Sequence, residues 1–270
     1  MSSLNANSSR KETLEHPSSG KNQTLGYSIF FHVLSQHKSL TRRDRETLQF
    51  LQGAPRRVRK GEIIKSESCN NNSLLAIQDG WACSYRLTNE GERQIIDLYL
   101  PGDIVGLRGY HKNGNSDKVV MLTEGLVTPA LESKIDKAIE ENPRLMHAFL
   151  ATAMYQSDVM ADRLNNLITH DAPTRIAYFI LEVQARLNLT KASTKNVHLP
   201  LSQKVVGELL GMTNVHVCRC LYHLESLGLI SREKENREIK ILSHEGLIDL
   251  SGFNNSHAYS NLPVHKGDTH

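Results

Sequence analysis

The segment LPLSQKVVGELLGMTNVHVCRCLYHLESLGLI, from Leu199 to Ile230, limits the fold of this chain more than any other stretch. Counted from Gln203, Gly207 is fifth, Gly211 ninth and Val217 fifteenth. A small residue at the first position lets two helices cross closely. A glycine at the second can take the positive φ of a tight turn, and a branched apolar residue at the third packs the second helix on the first. Ser202 and Thr213 stand where they can cap the two helices, and Gly228 where it can stop the second. An ordinary αα-hairpin would carry the same glycines for packing alone. Here, however, Leu229-Ile230-Ser231 and Glu238-Ile239-Lys240-Ile241 follow as two short strands around the polar turn Glu233 to Arg237, the hairpin of a winged helix. On the second helix Val217, Cys220, Leu221 and Leu224 share the core-facing side. Asn214, Cys218 and Tyr222 recur at i+4 on another, with Val215 and Arg219 beside them. An exposed face of this kind enters a DNA major groove with its N-terminal residues first.

Upstream the pattern changes twice. Residues 1–24 are Ser, Asn, Lys and Glu with almost nothing apolar to bury, and read as a disordered tail. A short amphipathic helix is expected from Thr41 to Leu51. From Arg57 to about Leu131 short apolar runs alternate with Gly61, Gly80, Gly91 and Gly102, which predicts an antiparallel roll. Trp81 in this roll serves either as packing or as a ligand platform. Between Pro143 and Thr169 the residues Met146, Leu150, Ala153, Ser157, Met160, Leu164 and Leu167 follow a four-three alternation, a heptad seam. Either the helix packs on its own domain or two copies form a coiled coil. The narrowness of the line, flanked by Gln156, Arg163 and Asn166, favours the second. Asp171 and Pro173 then begin a new helix, ending near Leu187 before a polar connector from Asn188 to Asn196.

The expected fold class is therefore α+β: an N-terminal antiparallel β-roll, jelly-roll-like (residues 25–142), a long dimerisation helix (143–170) and a C-terminal winged helix-turn-helix (171–250), followed by a flexible tail (251–270).

Composition narrows the function classes. No apolar run reaches the roughly 18 residues of a spanning helix, and the polar start lacks the order of a secretion signal. A cytoplasmic location and no membrane partner are expected. With 32 basic and 29 acidic residues, a net charge of +3 does not by itself announce nucleic acid. Four cysteines (Cys69, Cys83, Cys218, Cys220) contain no CxxC and fit neither a disulfide framework nor a zinc site. Thirteen histidines offer no ligand spacing, His244, His257, His265 and His270 being scattered near the C-terminus, so no metal is expected. Hydrolase, P-loop and metalloprotease motifs are missing, and no enzyme is expected.

On these motifs the sequence resembles the Crp/Fnr family of bacterial transcription regulators from about Phe31 to Leu250. KGEII at Lys60 to Ile64 and GERQIIDLYLPGDIVGLRG at Gly91 to Gly109 are similar to the family's cyclic-nucleotide-binding roll, and the heptad helix to its dimer helix. The resemblance implies a homodimer that binds double-stranded DNA at a palindromic operator, with RNA polymerase as a further partner. It also implies DNA contacts at Thr213, Asn214, Val215, His216 and Arg219, with Ser202 and Lys204 near the phosphates. His216 is read either as a phosphate contact or as a solvated surface residue.

Two departures change what is expected. Family members commonly carry glutamate at the position of Val215. Valine cannot accept a bond from cytosine but can touch a thymine methyl, while Arg219 can still address guanine. In the sensor, the family's Gly-Glu-Leu-Gly segment is here Gly106-Leu107-Arg108-Gly109, and Asp117 falls in the slot of the phosphate-binding arginine, with Lys118 one residue on. Loss of the ribose ligand and a repelling charge predict independence from cyclic AMP. No cofactor is expected, since the tail holds no cysteine for an iron–sulfur centre. Other readings are a regulator gated by an unidentified ligand in the roll, or a binding module or enzyme built on the roll alone. Cys218, beside Arg219, is either a redox-sensitive thiol or a small residue tolerated near the groove.

Overall fold

The computed structural model describes residues 28–66, 72–110, 117–190, 196–233 and 238–254. The expected tail over 1–24 and most of that over 251–270 lie outside these residues, as does Cys69. Among the described residues two helices precede the roll: α1 (Ile29–His37) and α2 (Arg42–Leu51). Ser28 Oγ caps α1 by accepting from the Phe31 amide at 3.2 Å, and Thr41 with Asp44 forms a reciprocal capping box on α2. The sequence reading had no helix at α1.

Among the described residues the roll has eight strands: β1 (Arg56–Val58), β2 (Ile63–Lys65), β3 (Ser73–Asp79), β4 (Ala82–Leu87), β5 (Arg93–Tyr99), β6 (Ile104–Val105), β7 (Lys118–Met121) and β8 (Gly125–Leu131). They form two antiparallel sheets, ordered β1-β8-β3-β6 and β2-β7-β4-β5. Alternation along each strand feeds separate cores. Leu75, Ile77, Ala82, Tyr99, Val119 and Met121 fill the space between the sheets. Leu74, Ala76 and Ala130 of the first sheet instead meet α1, α2 and the helices that follow. Trp81, Cys83, Ile95, Leu98 and Val120 of the second sheet join one continuous apolar cluster with the C-terminal half of the chain. Trp81 is therefore packing.

After the roll come α3 (Glu132–Glu141), α4 (Pro143–Thr169) and α5 (Ala172–Thr190). Asn142 Oδ1 caps α4 and Pro143 opens it. Asp171 accepts from the Thr174 amide at 3.1 Å at the start of α5. The C-terminal unit is β9 (Asn196–His198), α6 (Gln203–Leu210), α7 (Asn214–Ser226), β10 (Ile230–Glu233), β11 (Glu238–Ile241) and α8 (His244–Ser251), with sheet order β10-β11-β9. Three expectations are corrected. α5 runs three residues past Leu187, Asn196 opens a third strand rather than closing a connector, and the fold continues beyond residue 250, where Ser251 and Phe253 are buried. Phe253 packs edge-on against Tyr178 of α5, which accounts for the extension.

The residues that made the heptad line look narrow lie inside. Gln156, Arg163 and Asn166 of α4 are buried, so this helix does pack broadly on its own chain. Arg163 lies between Asp97 of β5 (3.0 Å) and Glu182 of α5 (Nε to carboxylate 3.3 Å). Arg186 of α5 bonds Glu182 and the Leu98 carbonyl, each at 2.9 Å, and also Asp103. Arg108, from the single 3-10 turn Leu107–Gly109, bonds Asp97 and, at 3.3 Å, the Tyr99 hydroxyl. Burial opposes the Arg163 charge, but Glu182 and Asp97 outweigh it and hold its pKa above the ordinary value. At Asp103 burial prevails over Arg186, and the carboxyl is pushed up.

Burial also lowers His37 to about 4, where its ring stacks on Tyr155 of α4 at 4.5 Å. An unfolded chain protonates His37 near 6.5, the native one only near 4, so this group withdraws stability as pH falls from 6.5 to 4. His37→Gln should flatten urea-melt stability across that window, with up to roughly 3 kcal/mol less loss than wild type. Equal pH slopes in the two proteins would contradict the buried neutral imidazole.

Candidate nucleic-acid interface

The helix pair α6 and α7 is set by backbone contact. A Cβ on Gly207 would lie 2.3 Å from the Met212 carbonyl oxygen, so no side chain fits where α6 meets the turn. Gly211 closes α6 at φ +65°, returning its amide to the Gly207 carbonyl. Ser202 Oγ accepts from the Val205 amide at 3.3 Å and Thr213 Oγ1 from the His216 amide at 3.2 Å. Val206, Gly207, Leu209 and Leu210 of α6 are buried, as are Val217, Cys220, Leu221 and Leu224 of α7.

What remains outside is the face expected from the sequence. Ser202 and Lys204 are exposed at the start of α6, and Thr213, Asn214, Val215, His216 and Arg219 are exposed over the first turns of α7. Six of the seven stand at the first turns of α6 and α7, where amide dipoles favour an anion, and Arg219 lies one turn further along α7. Tyr222, not among the nominated contacts, extends the Asn214 and Cys218 line by another turn and is 68% exposed. Its i+4 spacing was the available signal. The wing strands pair Ile230 with Ile241 and Arg232 with Ile239, while the turn between them lies outside the described residues.

Arg232 was missed by the sequence reading. Its backbone amide bonds Glu225 at 3.0 Å and its guanidinium bonds the same carboxylate. That hydrogen bond, with smaller help from Cys218, raises its pKa. The strand position carried no sign of this contact, which depends on how the wing folds against α7.

Along α4 the exposed stripe is offset from the nominated residues. Met146, Leu150, Ser157 and Leu164 are exposed as nominated, but Ala153, Met160 and Leu167 are half-buried against their own chain. Met160 Sδ accepts from Arg108 at 2.7 Å, and Leu167 approaches Gly211 of the helix-turn-helix. Their neighbours are open instead: Met154 is 59% and Ile168 74% exposed, with Ala161 between them. The outward stripe therefore runs 146, 150, 154, 157, 161, 164, 168. In the sensor, Leu107 is buried in the cluster of α1, α3 and α4. Asp117 pairs with Arg86 at the start of β7.

Among the described residues no group of three or more His, Cys, Asp or Glu side chains could hold a metal ion. Cys83 and Cys220 are buried and their thiols pushed up by burial, Cys83 to about 11, whereas Cys218 is exposed. Iodoacetamide at neutral pH should therefore alkylate Cys218 at least about tenfold faster than Cys83 or Cys220, read by peptide mass mapping, because thiolate and access control the rate. Equal rates would place Cys218 inside.

The pattern of the Crp-like helix-turn-helix domain matches residues 174–250, and that of the cyclic nucleotide-binding domain residues 55–142. The nitrogen fixation regulation protein FixK of Bradyrhizobium diazoefficiens is 30% identical over 173 residues, covering 63% of this chain and 71% of that one. The transcriptional activator protein FnrA of Stutzerimonas stutzeri is 26% identical over 214 residues, covering 79% and 87%. In structure, FixK2 from Bradyrhizobium japonicum superposes with a TM-score of 0.66 at 25% identity, over 74% of this chain and 98% of that one. CooA from Carboxydothermus hydrogenoformans shares the fold, with a TM-score of 0.57 at 18% identity over 73% and 87%.

Proposed function

Because the chain belongs to the Crp/Fnr family of DNA-binding transcription regulators, we propose that two copies, joined along α4, bind a palindromic operator without cyclic AMP. Family members are regulators and not enzymes, so the roll is a sensor or scaffold. The observation that carries this reading is the exposed α7 face, Asn214 to Arg219, backed by an apolar inner face and left uncovered by the described residues.

A two-fold axis along α4 sets the two α7 helices in successive major grooves, about 34 Å apart. Arg219 addresses guanine, Val215 meets a thymine methyl, and Asn214 offers its amide to a base edge. Ser202, Lys204 and Thr213 hold phosphates, and His216 stands at the groove rim. Independence from cyclic AMP rests on Leu107, buried among helices, and on Asp117, whose carboxylate is taken by Arg86. RNA polymerase is the further partner this reading implies, and the bacterial cytoplasm is its location. No helix among the described residues is long and apolar enough to cross a membrane.

Gel-shift titration on operator fragments selected from random DNA, with no nucleotide added, tests the docking. Arg219→Ala should cost about 1–3 kcal/mol and relax preference at one base pair per half-site, while Lys204→Ala should weaken all sequences alike. Unchanged affinity and base preference in Arg219→Ala would remove α7 from the groove. Ultracentrifugation tests the seam. Ile168→Asp should raise the dimer dissociation constant about a hundredfold, close to 3 kcal/mol, by placing two carboxylates at a dry interface. A dimer as tight as wild type would move the interface away from the outward stripe.

A further inference from the structure

Across the junction between the roll and the helix-turn-helix, one carboxylate is shared. Arg93, the first residue of β5, places Nε and Nη2 at 3.1 and 2.8 Å from Glu208 Oε2 in α6. The other oxygen, Oε1, lies 4.0 Å from Lys204 Nζ, one helical turn earlier. Lys204 is the cation that α6 presents to phosphate.

The surroundings show why this pair matters to position. Arg93 also lies over the Tyr85 ring, 5.9 Å from its centroid, which steadies it on the sheet. Beside the pair is a cleft of about 740 Å³ lined by Lys60, Glu92, Leu122, Leu201 and Val205. At this edge, then, the charge pair spans the mouth of the cleft, while deeper in the junction apolar side chains of the second sheet pack with those of α6. The side chains of Arg93 and Glu208 are 33% and 19% exposed, so the contact is wet enough to break and re-form. Meanwhile Ser202, Gln203 and Lys204 remain exposed, so the contact coexists with an open DNA face.

We propose that Glu208 is a positioning residue through which the roll sets both the stance of α6 and the availability of Lys204. With Arg93 on Oε2, most of the carboxylate's charge is answered from the roll, and Lys204 is free to leave for a DNA phosphate. Without Arg93, the i+4 lysine becomes the carboxylate's nearest cation and is drawn back along the helix. Because Gly207 fixes α6 to α7 by backbone contact, any tilt of α6 is passed to the recognition helix, and in a dimer it changes the separation of the two half-site readers.

The inference rests on α7 entering the major groove, and the experiment separates the two. The full-length protein is titrated by fluorescence anisotropy against palindromes whose half-sites differ in spacing, each at several salt concentrations. Arg93→Gln should lower affinity for the preferred spacing by roughly fivefold to tenfold, admit spacings one base pair shorter and longer, and reduce the log affinity against log salt slope by about 1. Glu208→Gln should broaden the spacing profile equally but leave the salt slope at the wild-type value, because Lys204 then has no rival anion. The exchange Arg93→Glu with Glu208→Arg should restore the narrow profile, which a merely misfolded variant cannot do. Failure of wild type to bind any palindrome overturns the reading of α7. Normal wild-type binding, with Arg93→Gln unchanged in profile and slope, overturns the role of Glu208.

Discussion

The arrangement of the molecule depends on six charges gathered at one place, five of them taken out of water. Asp97 and Asp103 come from the roll, Arg108 from the turn beneath it, Arg163 from α4, and Glu182 and Arg186 from α5. Three guanidinium groups face three carboxylates, so the cluster is neutral as a whole. The five buried members have lost their hydration and can recover the cost only through their partners' geometry, while Arg108 keeps part of its guanidinium in water. A hydrophobic contact would tolerate a slide of α4 along the sheet. A bidentate arginine between Asp97 and Glu182 does not, because a shift of an ångström leaves a buried charge unanswered. The cluster thus fixes the direction of the long helix relative to both the sensor and the first helix of the DNA-binding unit.

That cluster also explains which parts of the fold the sequence could and could not reveal. The helix-turn-helix was legible because its signature is steric. Gly207 is required by a backbone distance that no side chain satisfies and Gly211 is favoured by a left-handed dihedral, and such requirements fall at fixed spacings. The roll was legible from strand-length apolar runs and glycine turns. α1 and β9 were not. The first is capped by a single serine with no acidic residue in its first turn, and the second is a three-residue strand whose existence depends on pairing with β11. The heptad helix was half legible. Periodicity found four of the outward residues, but from residue 150 onward both 153, 160, 167 and 154, 161, 168 fit a spacing of fours and threes. The choice between them is made by Arg108 reaching Met160 and by the helix-turn-helix resting on Leu167, neither of which is local in sequence.

The polar residues beside the heptad made its apolar line look narrow, because arginine and asparagine are usually exposed. Arg163 and Asn166 lie inside because α4 is covered on that side by the rest of its own chain. Burial of a charged side chain is decided by a partner that can be far away in sequence, 66 residues for Arg163 and Asp97, and no window along the chain contains that information.

The close approach of Gly207 to Met212 separates two tasks that most binding surfaces combine. Shape is held entirely by the inner side of the helix pair and by one missing methyl group, while the outward side chains from Asn214 to Tyr222 bear no packing duty. Those outer positions can be exchanged, valine for a carboxylate or histidine for an amide, with little change in the stability of the scaffold that carries them. A protein built this way can be readdressed to another DNA sequence by rewriting a few exposed letters, and its vocabulary is limited by the groove and not by its own core.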